Sequence, residues 1–155
     1  MVSSGCIEAC DPIARPRLKS FCKRVNGSYL GEKDMDLRID EEKNIAYIKL
    51  WGQLSRKAIL SAFDLTVADQ KYRGGMGRLW DFRNADLSSL KSETVVEMAQ
   101  YSLRFPPGIN DVKVAFLVSR DFEYGLSRMF QMSSESRTPI QVFRVMAEAE
   151  KWMME

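Results

Sequence analysis

From Asp36 onward, short apolar segments alternate with segments whose apolar residues recur at helical spacing, and no other feature of the sequence limits the fold as strongly. Apolar and polar residues alternate in residues 37–39 and again in residues 45–51, with a polar turn at residues 41–44 between them. An alternation with a period of two is typical of half-buried strands. The sequence therefore predicts a β-hairpin at the start of this region.

Three further apolar segments, at residues 78–82, 112–118 and 140–143, are predicted to be buried strands, and residues 83–91 are predicted to be a loop. Helices are predicted from Ser55 to about Tyr72, from Ser92 up to Pro106, from Asp121 towards Pro139, and from about Met146 to Met153. Ser55, Ser92 and Asp121 are the predicted N-caps. Strands that alternate with helices are joined by right-handed crossovers. The predicted fold class is α/β, a mostly parallel five-stranded sheet with one antiparallel edge strand, in the order β-β-α-β-α-β-α-β-α.

The first 35 residues differ in character, because glycine, proline and scattered charges interrupt any sustained period. We predict a weakly structured N-terminal tail at residues 1–35 and one domain at residues 36–155. All three cysteines, Cys6, Cys10 and Cys22, lie in the tail. An odd number without a secretory signal indicates free thiols, and a zinc site needs more ligands than these. No metal site and no cofactor are predicted.

Charge and hydropathy exclude two classes of partner. Of the 23 Lys or Arg and 21 Asp or Glu residues, six and four fall in residues 1–35, so the predicted domain is neutral. A neutral surface does not favour binding to the phosphates of nucleic acid. The longest apolar run, residues 114–118, is far shorter than the roughly 20 residues that span a bilayer. We predict a cytoplasmic protein with no membrane span and no nucleic-acid partner.

The chain contains no histidine, and this absence bears on catalysis. Histidine is the usual base near neutral pH and activates Ser and Cys nucleophiles in many enzymes. Such mechanisms are excluded here, while chemistry based on carboxylates, lysine or tyrosine stays open. We predict that the protein is not an enzyme.

The element order and several short motifs resemble one known family. The motifs are Trp80-Asp81-Phe82 at the end of the third strand, residues 113–119 in the fourth, residues 125–130 in the third helix and residues 142–144 before the last helix. Together they resemble the STAS class of small bacterial proteins, the fold of anti-sigma-factor antagonists and of sulfate-transporter cytoplasmic domains. The resemblance covers residues 36–155. It implies a non-catalytic module that docks onto a kinase-like partner and is switched by phosphorylation of a serine.

In that family the phosphorylated serine lies at the start of the helix after the third strand. The matching segment here is residues 86–92, which offers Ser88, Ser89 and Ser92 but lacks the family's Asp-Ser followed closely by Gly. This departure indicates a divergent branch of the class. The alternative role of the three serines is that of loop and cap residues.

Three arginines, Arg83, Arg120 and Arg144, follow the ends of predicted parallel strands. Ligands of open α/β sheets bind at this edge, where guanidinium groups and helix N-termini favour phosphates or carboxylates. The arginines are therefore a predicted anion site, and solvated or ion-paired structural arginines are the alternative. Asp81 and Asp121 lie at the same edge and are the candidate acids or bases, with capping and ion pairing as the alternative.

Methionine is concentrated in the last two helices, where Met129, Met132, Trp152 and Met153 offer a candidate contact patch or dimer surface. Core packing is the alternative for these residues.

The leading prediction from the sequence is a non-catalytic protein-interaction or regulatory module with a STAS-like fold. Its expected partner is a kinase-like protein or a second copy of the chain in a homodimer. The alternative is a small-anion or lipid-ligand binding protein that uses the three strand-end arginines. An enzyme of carboxylate or lysine type is the third possibility.

Overall fold

The computed structural model describes residues 34–109, 111–134 and 138–155 of the 155-residue chain. Residues 1–33, with nearly all of the predicted tail and with Cys6, Cys10 and Cys22, lie outside the described residues. The sheet begins at Met35, one residue before the predicted start of the domain.

In the described part of the chain, five strands form one sheet, and they lie side by side in the order in which they occur along the chain. A hairpin turn at residues 41–44 joins the first two strands, which pair antiparallel, and all later neighbours pair parallel. Asn44 closes the turn with a φ of 59°, a left-handed conformation that asparagine tolerates. The predicted α/β class and the antiparallel edge strand are confirmed. The strands are β1 Met35–Asp40, β2 Ile45–Gln53, β3 Gly77–Asp86, β4 Val114–Leu117 and β5 Ile140–Phe143.

Four helices among the described residues cover the two faces of the sheet unequally. They are α1 Arg56–Val67, α2 Ser92–Ser102, α3 Asp121–Ser133 and α4 Met146–Met154. Each of α1, α2 and α3 connects two adjacent parallel strands, and each connection steps in the same direction across the sheet. Right-handed crossovers that step in one direction place their helices on one face. The helix α4 follows the last strand and packs on the opposite face.

Successive side chains of each strand point to opposite faces of the sheet, so the core consists of two layers. Trp80, Phe82 and Phe116 face α1, α2 and α3 in the larger layer. Leu79 and Leu117 face the other side, where Ala149 and Met153 of α4 cover the sheet. Because both faces are covered, all four residues of β4 are buried, as predicted for a strand between helices. None of the helices in the described part of the chain has the length and apolar character needed to cross a bilayer.

Two predicted strand boundaries were wrong. Residues 83–91 are not one loop, because β3 continues to Asp86 and pairs with the end of β2 beyond a register shift between Lys49 and Trp51. The strand predicted at residues 112–118 is shorter, since β4 covers Val114–Leu117. A shift in register cannot be recognised from the alternation of residues in either strand alone.

Helix boundaries were also partly wrong. The predicted cap at Ser55 is confirmed, because its Oγ accepts a hydrogen bond from the Ala58 N–H at 3.2 Å. The helix ends at Val67 rather than near Tyr72, and the Asp69 carboxylate instead accepts the Lys71 N–H at 2.9 Å in a local turn. Ser92 and Asp121 are not N-caps but first helical residues, preceded by Lys91 and Arg120 at the cap positions.

The contact between β2 and α4 includes a buried tyrosine with an altered pKa. The Tyr47 hydroxyl donates a hydrogen bond to Glu150 Oε1 at 2.7 Å. Burial, followed by the hydrogen bond to Glu150 and the charge of Glu150, raises the pKa of Tyr47 to about 12. The neutral phenol is thus favoured in the folded protein.

We expect this contact to stabilise the protein fully below pH 10, the ordinary tyrosine pKa, and to be lost as the pH rises towards about 12. Urea unfolding at several pH values in this window, together with phenolate absorbance, measures the effect. Tyr47→Phe should remove the phenol that titrates near pH 12 and the part of the stability loss that it causes. Tyr124→Phe, on the other face of the sheet, should leave both unchanged. Equal losses in the wild type and in Tyr47→Phe would contradict the assignment.

Candidate functional site

The larger core layer contains a partly open cavity of about 80 Å³ between the sheet and α1, α2 and α3. Trp80, Phe82 and Phe116 line its sheet side, and Phe63 and Leu126 are among the helix residues that line it. Protein cores are packed as densely as organic crystals and contain few voids larger than one water molecule. A cavity of this volume in the main core is therefore a feature that calls for an explanation.

The second residue of β3, Arg78, also lines this cavity and is only 3% exposed. It shares a face of the strand with Trp80 and Phe82, because side chains at every second position point the same way. Its Nη1 donates a hydrogen bond to Tyr72 Oη at 2.8 Å, and its guanidinium carbon lies 5.0 Å from the centre of the Phe63 ring. A cation thus lies inside a largely apolar layer.

The charge of Arg78 has no compensating partner in the described part of the chain. Its buried Nε has no hydrogen-bond partner there, and none of the ion pairs found among the described residues includes this guanidinium. Burial lowers the pKa of Arg78, and the nearby Tyr72 offsets only part of this effect. Arginine nevertheless stays charged at neutral pH. An uncompensated buried charge costs several kcal/mol even after relaxation, so it marks a candidate functional residue.

Tyr72 holds the guanidinium of Arg78 in place. Its hydroxyl accepts from Arg78 and donates to the carbonyl oxygen of Met76 at 3.3 Å. Met76 lies just before β3 and Arg78 within it, so the position of the guanidinium is fixed relative to the sheet.

At the α1–α2 contact, a second polar pair lies beside the cavity. Tyr101 lines the cavity, and its hydroxyl donates to Asp64 Oδ1 at 3.3 Å. Burial raises the pKa of Asp64, and the hydrogen bond from Tyr101 offsets part of that rise. Burial and the charge of Asp64 in turn raise the pKa of Tyr101. Hydroxyl-bearing side chains at Ser102, Ser127 and Thr138 complete the polar groups of the lining.

The first strand-end arginine of the sequence prediction, Arg83, lies inside β3 rather than beyond it. Its Nε and Nη2 donate to Asp81 at 3.0 and 2.8 Å, and its backbone N–H donates to the same carboxylate at 3.1 Å. Burial raises the pKa of Asp81, but these hydrogen bonds and the charges of Arg83 and Lys49 outweigh it and hold the pKa below its ordinary range. Asp81 is thus an ionised partner of Arg83 at neutral pH.

The other two strand-end arginines also carry carboxylate partners. Arg120 forms a bidentate ion pair with Glu123, in which Nε donates to one carboxylate oxygen at 2.8 Å and Nη2 to the other at 2.7 Å. The Glu123 side chain is only 2% exposed. Arg144 donates to Asp121 at 2.6 Å, and its guanidinium carbon lies 4.9 Å from the centre of the Tyr124 ring.

Hydrogen bonds connect the three arginines at one end of the sheet. Arg144 donates to the Ser119 carbonyl, the Ser119 hydroxyl donates to the Arg83 carbonyl, and Arg120 donates to the Ala85 carbonyl. The structure thus brings the predicted residues together, with each positive charge matched by a carboxylate. The strand order does not reverse within this sheet, so it lacks the switch point at which α/β proteins form a ligand crevice. Anion binding by these three arginines stays a prediction.

The predicted phosphorylation sites lie at the same end. Ser88 and Ser89 follow β3, and Ser92 begins α2. The Ser88 N–H donates to the Asp86 carboxylate at 2.9 Å, while the Ser89 hydroxyl donates to the Leu54 carbonyl at 3.0 Å. All three serines are exposed, and their phosphorylation stays a prediction.

The residues of the predicted contact patch do not form one surface. Met129 and Met132 lie on α3 and Trp152 and Met153 on α4, and these helices cover opposite faces of the sheet. Met132 is 65% exposed, whereas Met153 is buried with its methyl group against Gly77. A methyl group added at Gly77 would lie 2.6 Å from that of Met153, so the absence of a side chain there makes room for α4. The last turn of α4 thus packs Met153 into the core, the alternative given for this residue, and the contact patch stays a prediction.

Sequence reasoning missed Arg78, although one signal was present. The segment at residues 78–82 was predicted to be buried on both faces, and a charged residue opens it. Fully buried arginine is rare without a partner. A charged residue within a buried strand was therefore the sign of an internal polar site.

Comparisons of the chain with protein-family models, with curated proteins and with solved structures each gave no match. The resemblance to the STAS class therefore stays a prediction. The described residues include no group of three or more His, Cys, Asp or Glu side chains placed to hold a metal ion.

Proposed function

We propose that this protein binds a small, largely apolar molecule in the cavity between the sheet and helices α1, α2 and α3, and that it acts without catalysis. The single observation that carries this proposal is the cavity of about 80 Å³ in the main core. It corresponds to the binding alternative of the sequence analysis, with the ligand placed inside the domain instead of at the strand-end arginines.

The energetic cost of such a cavity supports a role in binding. At about 24 cal/mol for each Å³ of enclosed empty space, a cavity of 80 Å³ lowers stability by up to about 2 kcal/mol, and by less where it opens to solvent. Larger side chains at lining positions such as Val95, Ser102 or Ser127 would fill it, and such volume-filling changes are a common way to stabilise a protein. A binding function explains why the cavity is kept open at this cost.

A second candidate function is the STAS-like interaction module. The observation that favours it is a pair of exposed apolar side chains, Phe122 and Val145, each 50% exposed, in the first turn of α3 and just before α4. Both lie at the end of the sheet that carries Ser88 and Ser89. Self-association of the full chain in sedimentation experiments, abolished by Phe122→Ser but not by Met132→Ser, would support this function.

The experiment for the binding function is methyl NMR of the full chain on addition of isovalerate, the matching alcohol 3-methyl-1-butanol, or the matching amide 3-methylbutanamide. We expect at least one compound to shift the methyl signals of Val95, Leu126 and Ile140, which line the cavity. The methyl signals of Leu79 and Leu117, on the α4 side of the sheet, are the internal control and should move least.

A cavity-filling variant locates the site. Leu126→Phe should weaken binding at least tenfold, because the larger ring occupies the cavity, while Leu126→Met conserves volume and should bind as the wild type does. The proposal fails if none of the three compounds shifts the lining methyl groups. It also fails if Leu126→Phe binds as tightly as Leu126→Met.

A further inference from the structure

We propose that Arg78 is the binding site for the carboxylate of the ligand, so that the cavity takes small monocarboxylates with a compact apolar body. This inference rests on the proposed binding function and adds the chemical class of the ligand. It is carried by a buried guanidinium whose Nε has no partner among the described residues and which lines the cavity.

No described residue forms a hydrogen bond with the Nε edge of the buried guanidinium. Nη1 is engaged by Tyr72, and the ring of Phe63 lies beside the guanidinium at 5.0 Å. The remaining edge, formed by Nε and Nη2, presents two parallel N–H groups. This edge matches the two oxygens of a carboxylate, and such forked pairs are among the strongest hydrogen bonds in proteins.

The charge balance favours a monoanion. Arg78 is the one charged side chain among the described residues that line the cavity, and a carboxylate brings the one negative charge that neutralises it. A phosphate monoester carries nearly two negative charges. The second charge would remain buried without a partner and would cost several kcal/mol of binding.

The volume of the cavity limits the apolar part of the ligand. A cavity of about 150 Å³ accommodates benzene, so one of about 80 Å³ suits an apolar body of about three to four carbon atoms. Branched short-chain acids combine such a body with one carboxylate. Isovalerate is therefore the probe, and 3-methyl-1-butanol and 3-methylbutanamide are its neutral partners of the same shape.

The experiment is calorimetric titration of the full chain with these three compounds and with inorganic phosphate. We expect isovalerate to bind about 30-fold more tightly than the alcohol or the amide, because only the acid forms charge-assisted hydrogen bonds with Arg78. In ¹H–¹⁵N spectra the Arg78 Nε–H signal should move downfield with isovalerate and stay in place with the alcohol. Phosphate should leave this signal unchanged.

Variants of Arg78 distinguish the effect of its positive charge from the effect of its two parallel N–H groups. Arg78→Met should abolish the preference for the acid over the alcohol while binding of the alcohol persists, and Arg78→Lys should keep about a tenth of the affinity for the acid. Tyr72→Phe should weaken acid binding several-fold without changing the order of the three compounds, since Tyr72 positions the guanidinium. If Arg78→Met does not fold, the ligand series and the Nε–H signal of the wild type decide the question.

The two proposals fail in different ways. Equal binding of acid, alcohol and amide by the wild type would overturn the role of Arg78 and leave the cavity function standing. Phosphate binding that shifts the Nε–H signal as isovalerate does would overturn the assignment to monocarboxylates. Binding by none of the compounds would overturn both proposals.

Discussion

Arg78→Met is expected to make the ligand-free protein more stable by about 2 kcal/mol. Removing the guanidinium ends the desolvation cost of a charge that is 3% exposed and has no carboxylate partner among the described residues. The lost hydrogen bond to Tyr72 is worth about 1 kcal/mol and offsets part of the gain, as does the enlarged cavity. Urea unfolding should show a higher midpoint with an unchanged slope.

An exposed arginine provides the control for this result. Arg38 also lies on an aromatic ring, 3.9 Å from the centre of Tyr47, and pairs with Asp40 at 3.6 Å in solvent. Arg38→Met should lower stability by less than about 1 kcal/mol, the usual worth of an exposed pair. A loss of stability in Arg78→Met that exceeds the loss in Arg38→Met would show that Arg78 serves the fold. A gain would indicate that the residue is kept for function.

The second large effect is expected at the start of α3, where Arg120→Met should destabilise the protein by about 3 kcal/mol. Glu123 is 1% exposed, and both of its oxygens accept hydrogen bonds from Arg120. Removing the arginine leaves a buried carboxylate without its cation. Because the Arg120 side chain is 57% exposed, water can approach from that side and keep the loss near the lower end for broken buried pairs.

The neighbouring pair of Arg144 and Asp121 is the matched control. Its contact of 2.6 Å is as short as the contacts between Arg120 and Glu123, but the Asp121 side chain is 96% exposed. Arg144→Met should therefore cost less than about 1 kcal/mol. Glu123→Gln should restore part of the stability that Arg120→Met removes, because it neutralises the buried charge. Equal losses in Arg120→Met and Arg144→Met would refute the distinction between the two pairs.

The predictable part of the fold follows from local patterns. The alternation in β1 and β2, the apolar runs of β4 and β5, and the capping serine of α1 each act over a few residues and were identified correctly. The end of β3 was not identified correctly, because its last residues pair with the end of β2 beyond a register shift. Pairing between strands depends on contacts that neither strand encodes alone.

Local sequence patterns predicted far less of the candidate site than of the fold. Arg120 and Arg144 follow β4 and β5 while Arg83 lies within β3, and the carboxylate partners of all three are set by the directions of side chains in space. The sequence distance of two or three residues between Arg83 and Asp81, or between Arg120 and Glu123, allows these pairs but does not require them.

The sequence by itself determined the order of strands and helices, since hydrophobic periodicity is a property of neighbouring residues. Only the tertiary structure decided which charges are matched and which one is buried unmatched. The burial of Arg78 arises where β3 meets Phe63 of α1 and Tyr72 of the following loop, and the cavity arises because three helices and a sheet meet without filling the space between them. Such features depend on how segments that are distant in the sequence pack against each other, and no single segment determines the free energy of that packing.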